Sequence, residues 1–275
     1  MSVMPEELEA WCARVPGLVR SADGHWSLGQ SSAISYPASG HASIADIEET
    51  SFWFNHRNAV IAAVARRFPP PGPLFDIGGG NGYVSVGLRH AGFGCLVIEP
   101  GATGAANAAR RGFPVVEAQF QDLQIPDDSV PAAGLFDVLE HIPDDRAALA
   151  NLFRILKPEG RLYIAVPAYQ ALWSSEDDHA GHFRRYTLTL LTQRLREAGF
   201  VIEYGTYFFC ILLLPILLLR ALPFRLGIRQ VNDPGTDHAA PPGWLTTLLA
   251  GERRHIEAGG TLSFGASCLV VARKP

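Results

Sequence analysis

The sequence predicts an α/β domain built on a mostly parallel sheet with helices on both faces. Three observations predict it. Short β-rich runs alternate with helical stretches from Leu74 to Pro167, a glycine-rich turn closes the first of those runs, and an acidic residue closes the second. Leu74–Ile77 reads as the first buried strand, introduced by the Pro69-Pro70-Pro71-Gly72-Pro73 breaker, with a helix from Tyr83 to His90 after the glycines. Cys95–Glu99 is a second strand ending at Pro100, and Ala102–Arg111 an alanine-rich helix closed by Gly112. Val115–Ala118 and Ala132–Val138 follow as strands, Asp144–Leu156 as a helix, and Arg161–Val166 as a fifth strand between Gly160 and Pro167. A helix over Leu188–Ala198 stops at Gly199, Val201–Thr206 is the next strand, and Ala266–Ala272 is a last strand placed antiparallel at the sheet edge.

Two segments lie outside this pattern. Residues 1–72 form a helical extension and active-site cap, with helical signals over Pro5–Ala13 and Ile44–Phe68. The domain proper runs over 73–275 and carries an apolar insertion at about 207–262. Substrate specificity is expected in these two segments.

With 275 residues, 48% hydrophobic and 18% charged, the chain can bury the core of one α/β domain and a modest additional element. A net charge of -4 and the lack of a dense lysine and arginine run argue against a nucleic-acid partner. Cys12, Cys95, Cys210 and Cys268 lie far apart, without a CxxC pair or a histidine and cysteine cluster at metal-ligand spacing, so no metal is expected. The acidic start Met1-Ser2-Val3-Met4-Pro5-Glu6-Glu7 lacks a secretory pattern, which points to the cytoplasm.

The glycine turn carries the chemistry. Asp76-x-Gly78-x-Gly80-x-Gly82 ends a strand and opens a helix, the context in which backbone approaches a ligand at the carboxyl edge of a parallel sheet. A dinucleotide site needs G-x-G-x-x-G, and that order fails here. Counting from Gly78 the third position is Tyr83, and from Gly80 it is Ser85. Asp76 also suits an amino acid's ammonium better than a pyrophosphate, because like charges oppose. Glu99, seventeen positions after Gly82, stands where an acid meets ribose hydroxyls.

Together with Ile98-Glu99-Pro100, Ala118–Ser129, Gly134–Ile142 and Leu156–Leu162, this loop resembles the class I S-adenosylmethionine-dependent methyltransferases, and within them the ubiquinone/menaquinone-type and related small-molecule enzymes. The resemblance implies a Rossmann-like seven-stranded sheet with a reversed last strand and S-adenosylmethionine across its carboxyl edge. On that reading Asp76, Gly78, Gly80, Asn81 and Gly82 surround the methionine part. Glu99 holds the ribose beside Pro100, and Phe136 and Asp137 lie next to the methyl group. Gln119 stands where the family usually has the aspartate that meets the adenine amino group; its carbonyl can still accept, and Gln119, Phe120 and Asp122 are the alternatives for that contact. Val130-Pro131 replaces the usual phenylalanine-aspartate pair before the fourth strand.

The loop after the fifth strand, Trp173 to Tyr186, looks like the Trp-Ser-x-x-Asp, Gly-His-x-Arg-Arg-Tyr signature of a subgroup of these enzymes, and Ser51–Asn58 resembles the same subgroup. The acceptor is expected among Trp53, His56, Trp173, His179, Arg185, Tyr186 and Tyr207. For a hydroxyl acceptor His182 is the first choice of base and His141 the second. Equally, His182, Arg184 and Arg185 can tie the loop down through Asp177 or Asp178. Trp53, Phe54 and Phe52 suit either a lid or, more often at such spacing, the core contacts of a docked helix.

The run Tyr207–Leu222 is sixteen residues with Pro215 inside and Arg220 near its end, short of the ~20 a spanning helix needs. A buried or dimer-forming helix is favoured over peripheral membrane contact or a greasy wall for a lipid-like acceptor. The expected activity is methyl transfer from S-adenosylmethionine, leaving S-adenosylhomocysteine, to a small-molecule or lipid-like acceptor, with oxygen favoured. The alternatives are an NAD-dependent enzyme of the same fold class and a non-catalytic scaffold.

Overall fold

In the computed structural model, which describes residues 5–21, 24–28, 47–228 and 242–275, one sheet carries the molecule. Its strands are β1 (Val19–Arg20), β2 (Trp26–Ser27), β3 (Leu74–Ile77), β4 (Cys95–Ile98), β5 (Val115–Glu117), β6 (Val130–Phe136), β7 (Leu156–Pro167), β8 (Val201–Phe208) and β9 (Ser267–Arg273). They lie in the order β1-β2-β5-β4-β3-β6-β7-β9-β8. From β2 to β7 every neighbour is parallel, and β9 runs antiparallel between β7 and β8, so the last strand is antiparallel as expected but internal, and β8 forms the edge it was expected to occupy. The chain leaves β3 toward β4 on one side and later returns to β6 on the other, so a crevice opens at the carboxyl ends of β3 and β6.

Strand alternation divides the core. Phe75 and Ile77 of β3 pack with α1 (Pro5–Cys12), α5 (Asp145–Ile155) and α7 (Leu188–Glu197) on one face. Leu74 packs with α2 (Phe52–Arg67), α3 (Tyr83–His90), α4 (Ala102–Arg110) and α8 (Gly243–Glu257) on the other. The short helix α6 (Ser175–Ala180) lies in the loop after β7.

The strands and helices of the central region fall where the sequence places them, within two or three residues at most ends, with two larger differences. The fourth and fifth strands begin earlier than expected, at Val130 and Leu156. The helix expected over Ile44–Phe68 is α2, starting at Phe52: Glu48–Thr50 form a turn and Ser51 is extended (φ -68°, ψ 125°), while Ile44, Ala45 and Asp46 lie outside the described residues. The extension is also not purely helical, since β1 and β2 add to the sheet beside β5, with Trp26 opposite Val116. Strands of two residues carry too little pattern to read.

The apolar run after β8 is not a buried helix. Past Phe208 it forms a helical arm of short turns over Cys210–Leu212, Leu213–Ile216, Leu217–Ala221 and Leu222–Arg225, with Leu214 61% and Leu218 55% exposed. The face it would have covered is filled by α8, whose Leu245, Leu249 and Ile256 are buried. Among the described residues no helix is long and apolar enough to cross a membrane.

One carboxylate ties these outer parts to the sheet. Glu252 of α8 bonds His56 Nε2 of α2 (2.8 Å) and accepts from the Phe209 N–H (2.7 Å) and the Cys210 N–H (2.8 Å) where β8 turns into the arm. Phe209 is left-handed there (φ 60°, ψ 42°), a costly conformation for an aromatic residue that these bonds hold in place. Burial pushes the Glu252 carboxyl up, yet the hydrogen bonds from His56 and the two backbone N–H groups bring it below its usual value. Glu252→Ala is therefore expected to lower unfolding free energy by about 3 kcal/mol in urea titrations. A group with a depressed folded pKa stabilises above its unfolded value, so the gap between native and variant should shrink as pH falls below 4.5.

Candidate active site

The crevice at the carboxyl edge is a cleft of about 320 Å³. Ile77 ends β3 with Gly78 after it, Ile98 ends β4 with Pro100 beyond, and Gln119, Phe120 and Gln121 follow β5. Val138, His141, Ile142 and Pro143 follow β6, and Phe183 reaches in from the loop after β7. The walls are apolar apart from the glutamines and the histidine, a lining suited to the flat face of a purine. Of the three alternatives for the adenine contact, Gln119 and Phe120 line the cleft and Asp122 does not. Gln121, not singled out from sequence, does.

The glycine loop is held by close packing. Gly82 has φ +76°, and a Cβ there would stand 3.1 Å from Ala108 Cβ; Gly104 of α4 lets the helix approach the Gly80 carbonyl, which a Cβ would meet at 3.1 Å. Glu99, 3% exposed, fastens the loop from below. Its Oε2 accepts from the Gly80 N–H (2.8 Å) and its Oε1 from the Gly101 N–H (2.7 Å). Burial raises its pKa to about 7 against the pull of those two N–H groups.

Asp76 stands differently from the expectation. Strand alternation puts its side chain on the Leu74 face, where it is 1% exposed and accepts from Ser85 Oγ of α3 (2.7 Å). It supports the loop from beneath rather than facing an ammonium, and burial raises its pKa to about 6. Asn81 is likewise drawn inward, its Oδ1 accepting from Asn107 (2.8 Å), and Phe136 packs in the core on that same face.

What faces the open end of the loop comes from α2. Arg57, which sequence reasoning passed over as a site residue, pairs with Asp137, a non-glycine residue at φ 57° just past β6. The Arg57 Nε is buried and meets no acceptor. An orphaned guanidinium N–H above a glycine loop fits the carboxylate of an amino-acid moiety, and the apolar cleft beyond fits a nucleoside. The residues present thus suit S-adenosylmethionine. No local signal could have found Arg57, since its partner is 80 positions away.

On the acceptor side the loop after β7 is built around Asp177, which is 0% exposed. His182 Nδ1 bonds its Oδ1 (2.8 Å), Arg185 donates through Nε (2.7 Å) and Nη2 (2.9 Å), and the Ser174 N–H donates to Oδ2 (2.8 Å). Burial pushes this carboxyl up, but the hydrogen bonds from His182 and Arg185 carry it down to about 2. Asp177 thus ties the loop down through His182 and Arg185, while Arg184, expected in the same tie, donates to the Ile142 and Pro143 carbonyls instead. The His182 ring lies 4.6 Å from His141, edge to face, and 6.4 Å from Trp173, whose Nε1 donates to Asp178 (2.9 Å). Burial, and then His182, lower the His141 pKa to about 4. Glu140, 0% exposed, accepts no side-chain hydrogen bond from another residue, and burial with the nearby Asp137 raises its pKa well above the usual range.

Other expected acceptor contacts are structural. Tyr186 is 0% exposed and donates to Asp145 (3.0 Å), so the core claims it. His56 is taken by Glu252. Tyr207 stacks on Tyr169 at 5.1 Å and accepts from the Leu188 N–H (3.0 Å). Trp53 stacks on Phe209 at 3.9 Å and, with Phe52, packs on the core as a docked helix would. His179 stands exposed on α6 outside the His141 and His182 pair.

The methyltransferase domain family matches residues 52–204. A probable S-adenosylmethionine-dependent methyltransferase of Mycobacterium tuberculosis is 26% identical over 197 residues, 69% of this chain and 71% of the relative. Among solved structures, a putative methyltransferase in complex with the Haloferax volcanii Trm112 activator superposes with a TM-score of 0.57 at 19% identity, covering 88% of this chain and 100% of that one. Phosphoethanolamine N-methyltransferase 2 of Haemonchus contortus, with S-adenosylmethionine bound, gives 0.56 at 19% identity, covering 90% and 61%. These likenesses carry the fold, and the family match decides against the dinucleotide and scaffold alternatives.

Ribose hydroxyls donate best to an ionised Glu99, whose pKa of about 7 in the free protein should fall on binding. S-adenosylhomocysteine affinity is then expected to rise with pH by up to about tenfold per unit below neutrality and to level off above it. Calorimetry should show that dependence lost in Glu99→Gln; an unchanged slope would remove Glu99 from the ribose.

Proposed function

Because the chain belongs to the methyltransferase domain family and is a class I S-adenosylmethionine-dependent methyltransferase, we propose that it methylates a hydroxyl of a small or lipid-like acceptor, with His182 as the base. The observation that carries this reading is the hydrogen bond from His182, whose ring packs on the cleft-lining His141, to the buried Asp177. Bound S-adenosylmethionine supplies a methyl group on a sulfonium, whose sulfur leaves as a neutral thioether. Arg57 and the Gly78–Gly82 backbone hold its amino-acid part, Glu99 its ribose, and Gln119 with Phe120 its adenine.

The remaining work falls to residues on the acceptor side. With the Nδ1 proton donated to Asp177, His182 presents an unprotonated Nε2 that accepts the acceptor's hydroxyl proton as its oxygen attacks. The imidazolium that forms is stabilised by Asp177, which stays ionised down to about pH 2. His141, with a pKa of about 4, is neutral at pH 7 and adds no repelling charge beside it. A hydroxyl is favoured over a neutral amine because only the hydroxyl needs such a base for its proton. Phe183, 52% exposed at the rim of the cleft, favours an acceptor with an apolar body.

Tritium from the methyl group of S-adenosylmethionine is expected to enter a chloroform-soluble product when the protein is incubated with a polar-lipid extract of its source cells. His182→Ala should slow that transfer at least about 100-fold while S-adenosylhomocysteine affinity holds. Asp177→Asn should slow it too, with the fold checked by its thermal midpoint. Transfer at the native rate by His182→Ala would overturn the base assignment.

A further inference from the structure

The arm after β8 displays an apolar face that no described part of the chain covers. Leu214, Leu218, Leu222 and Leu226 recur at spacing four and are 61%, 55%, 43% and 67% exposed. Ile211, Phe224 and Ile228 on the same segment, and Trp244 and Leu248 at the start of α8, are exposed as well. Such density of exposed large aliphatics is unusual on a protein surface that meets only water.

We propose that this arm seats the protein on the surface of an anionic lipid bilayer. Charge complementarity supports a lipid surface: residues 204–228 contain Arg220 and Arg225 and neither aspartate nor glutamate, and Arg225, unlike Arg220 with its Glu176 partner, enters no ion pair among the described residues. The same charges disfavour a second copy as occupant. A two-fold contact through this face sets the unpaired Arg225 against its own equivalent. The arm is too short and too broken to span, so it lies in the interface with its leucines among the acyl chains.

Its attachment points orient the molecule. Arg220 pairs with Glu176 of α6 (2.6 Å), the residue before Asp177, and Arg225 donates to the Gln170 carbonyl (3.4 Å) in the loop that leads to Trp173. The arm therefore adjoins the acceptor side of the cleft, and a docked protein meets a lipid-like acceptor at the bilayer. That last consequence rests on the function proposed above; the docking does not.

Flotation with vesicles of phosphatidylcholine alone, or with added phosphatidylglycerol, tests the docking without any acceptor. The full chain is expected to float with the anionic vesicles, less with neutral ones, and less again as salt is raised. The triple variant Leu214→Ser, Leu218→Ser, Leu222→Ser should lower the partition at least about tenfold. Unchanged S-adenosylhomocysteine affinity would show that the variant is folded. A native chain that stays in the soluble fraction with both vesicle types overturns the proposal, as does a triple variant that floats undiminished. A native dimer by light scattering that the triple variant converts to monomer, without flotation of either, would assign the face to a second copy. Failure of methyl transfer to lipid extract alongside intact flotation would reject the acceptor and leave the docking standing.

Discussion

The acceptor side of this molecule depends on a single buried charge, Asp177. A carboxylate removed from water costs several kcal/mol unless it is fully paired, and here the pairing is distributed over His182, Arg185 and the Ser174 N–H. Those partners come from both ends of the loop after β7, so satisfying the charge closes the loop on itself. The same bonds fix which histidine nitrogen carries the proton. Loop geometry and chemical poise therefore have one cause.

The device recurs. Glu99 ties the turn after β3 to the turn after β4 through the Gly80 and Gly101 N–H groups, and Glu252 ties α2 and α8 to the end of β8. Each lies where a strand has just ended and backbone donors have lost their ladder partners. Glu140 is the exception: equally buried beside His141, it receives no side-chain hydrogen bond from another described residue. The satisfied carboxylates hold the frame. The unsatisfied one does not: burial and the nearby Asp137 raise its pKa well above the usual carboxyl range.

These anchors also explain why the exposed arm is compatible with a well-packed core. The outer end of the sheet is closed by β8, paired to β9, and covered by α2 and α8, so the apolar residues between β8 and α8 are not needed inside. Glu252 and Arg220 hold the arm at its root and middle, leaving its leucines outward.

Sequence by itself determined the central sheet and the cofactor side. Strand and helix periodicity is a local property, and the glycine turn with Glu99 acts through backbone a few residues away, so Leu74–Pro167 could be read almost element by element. The meeting of Asp177, His182 and Arg185 in the loop after β7 was legible too, because they lie within nine positions of one another. Tertiary structure alone decided the rest. Whether Asp76 faces the ligand or the helix above it depends on strand phase against a particular neighbour, and whether Tyr186 and His56 serve a substrate or the core depends on Asp145 and Glu252, far along the chain. Arg57 gains its place only when α2 docks across the loop onto Asp137. The outward turn of the arm follows from α8 having already filled the space, a competition for volume that no local pattern records.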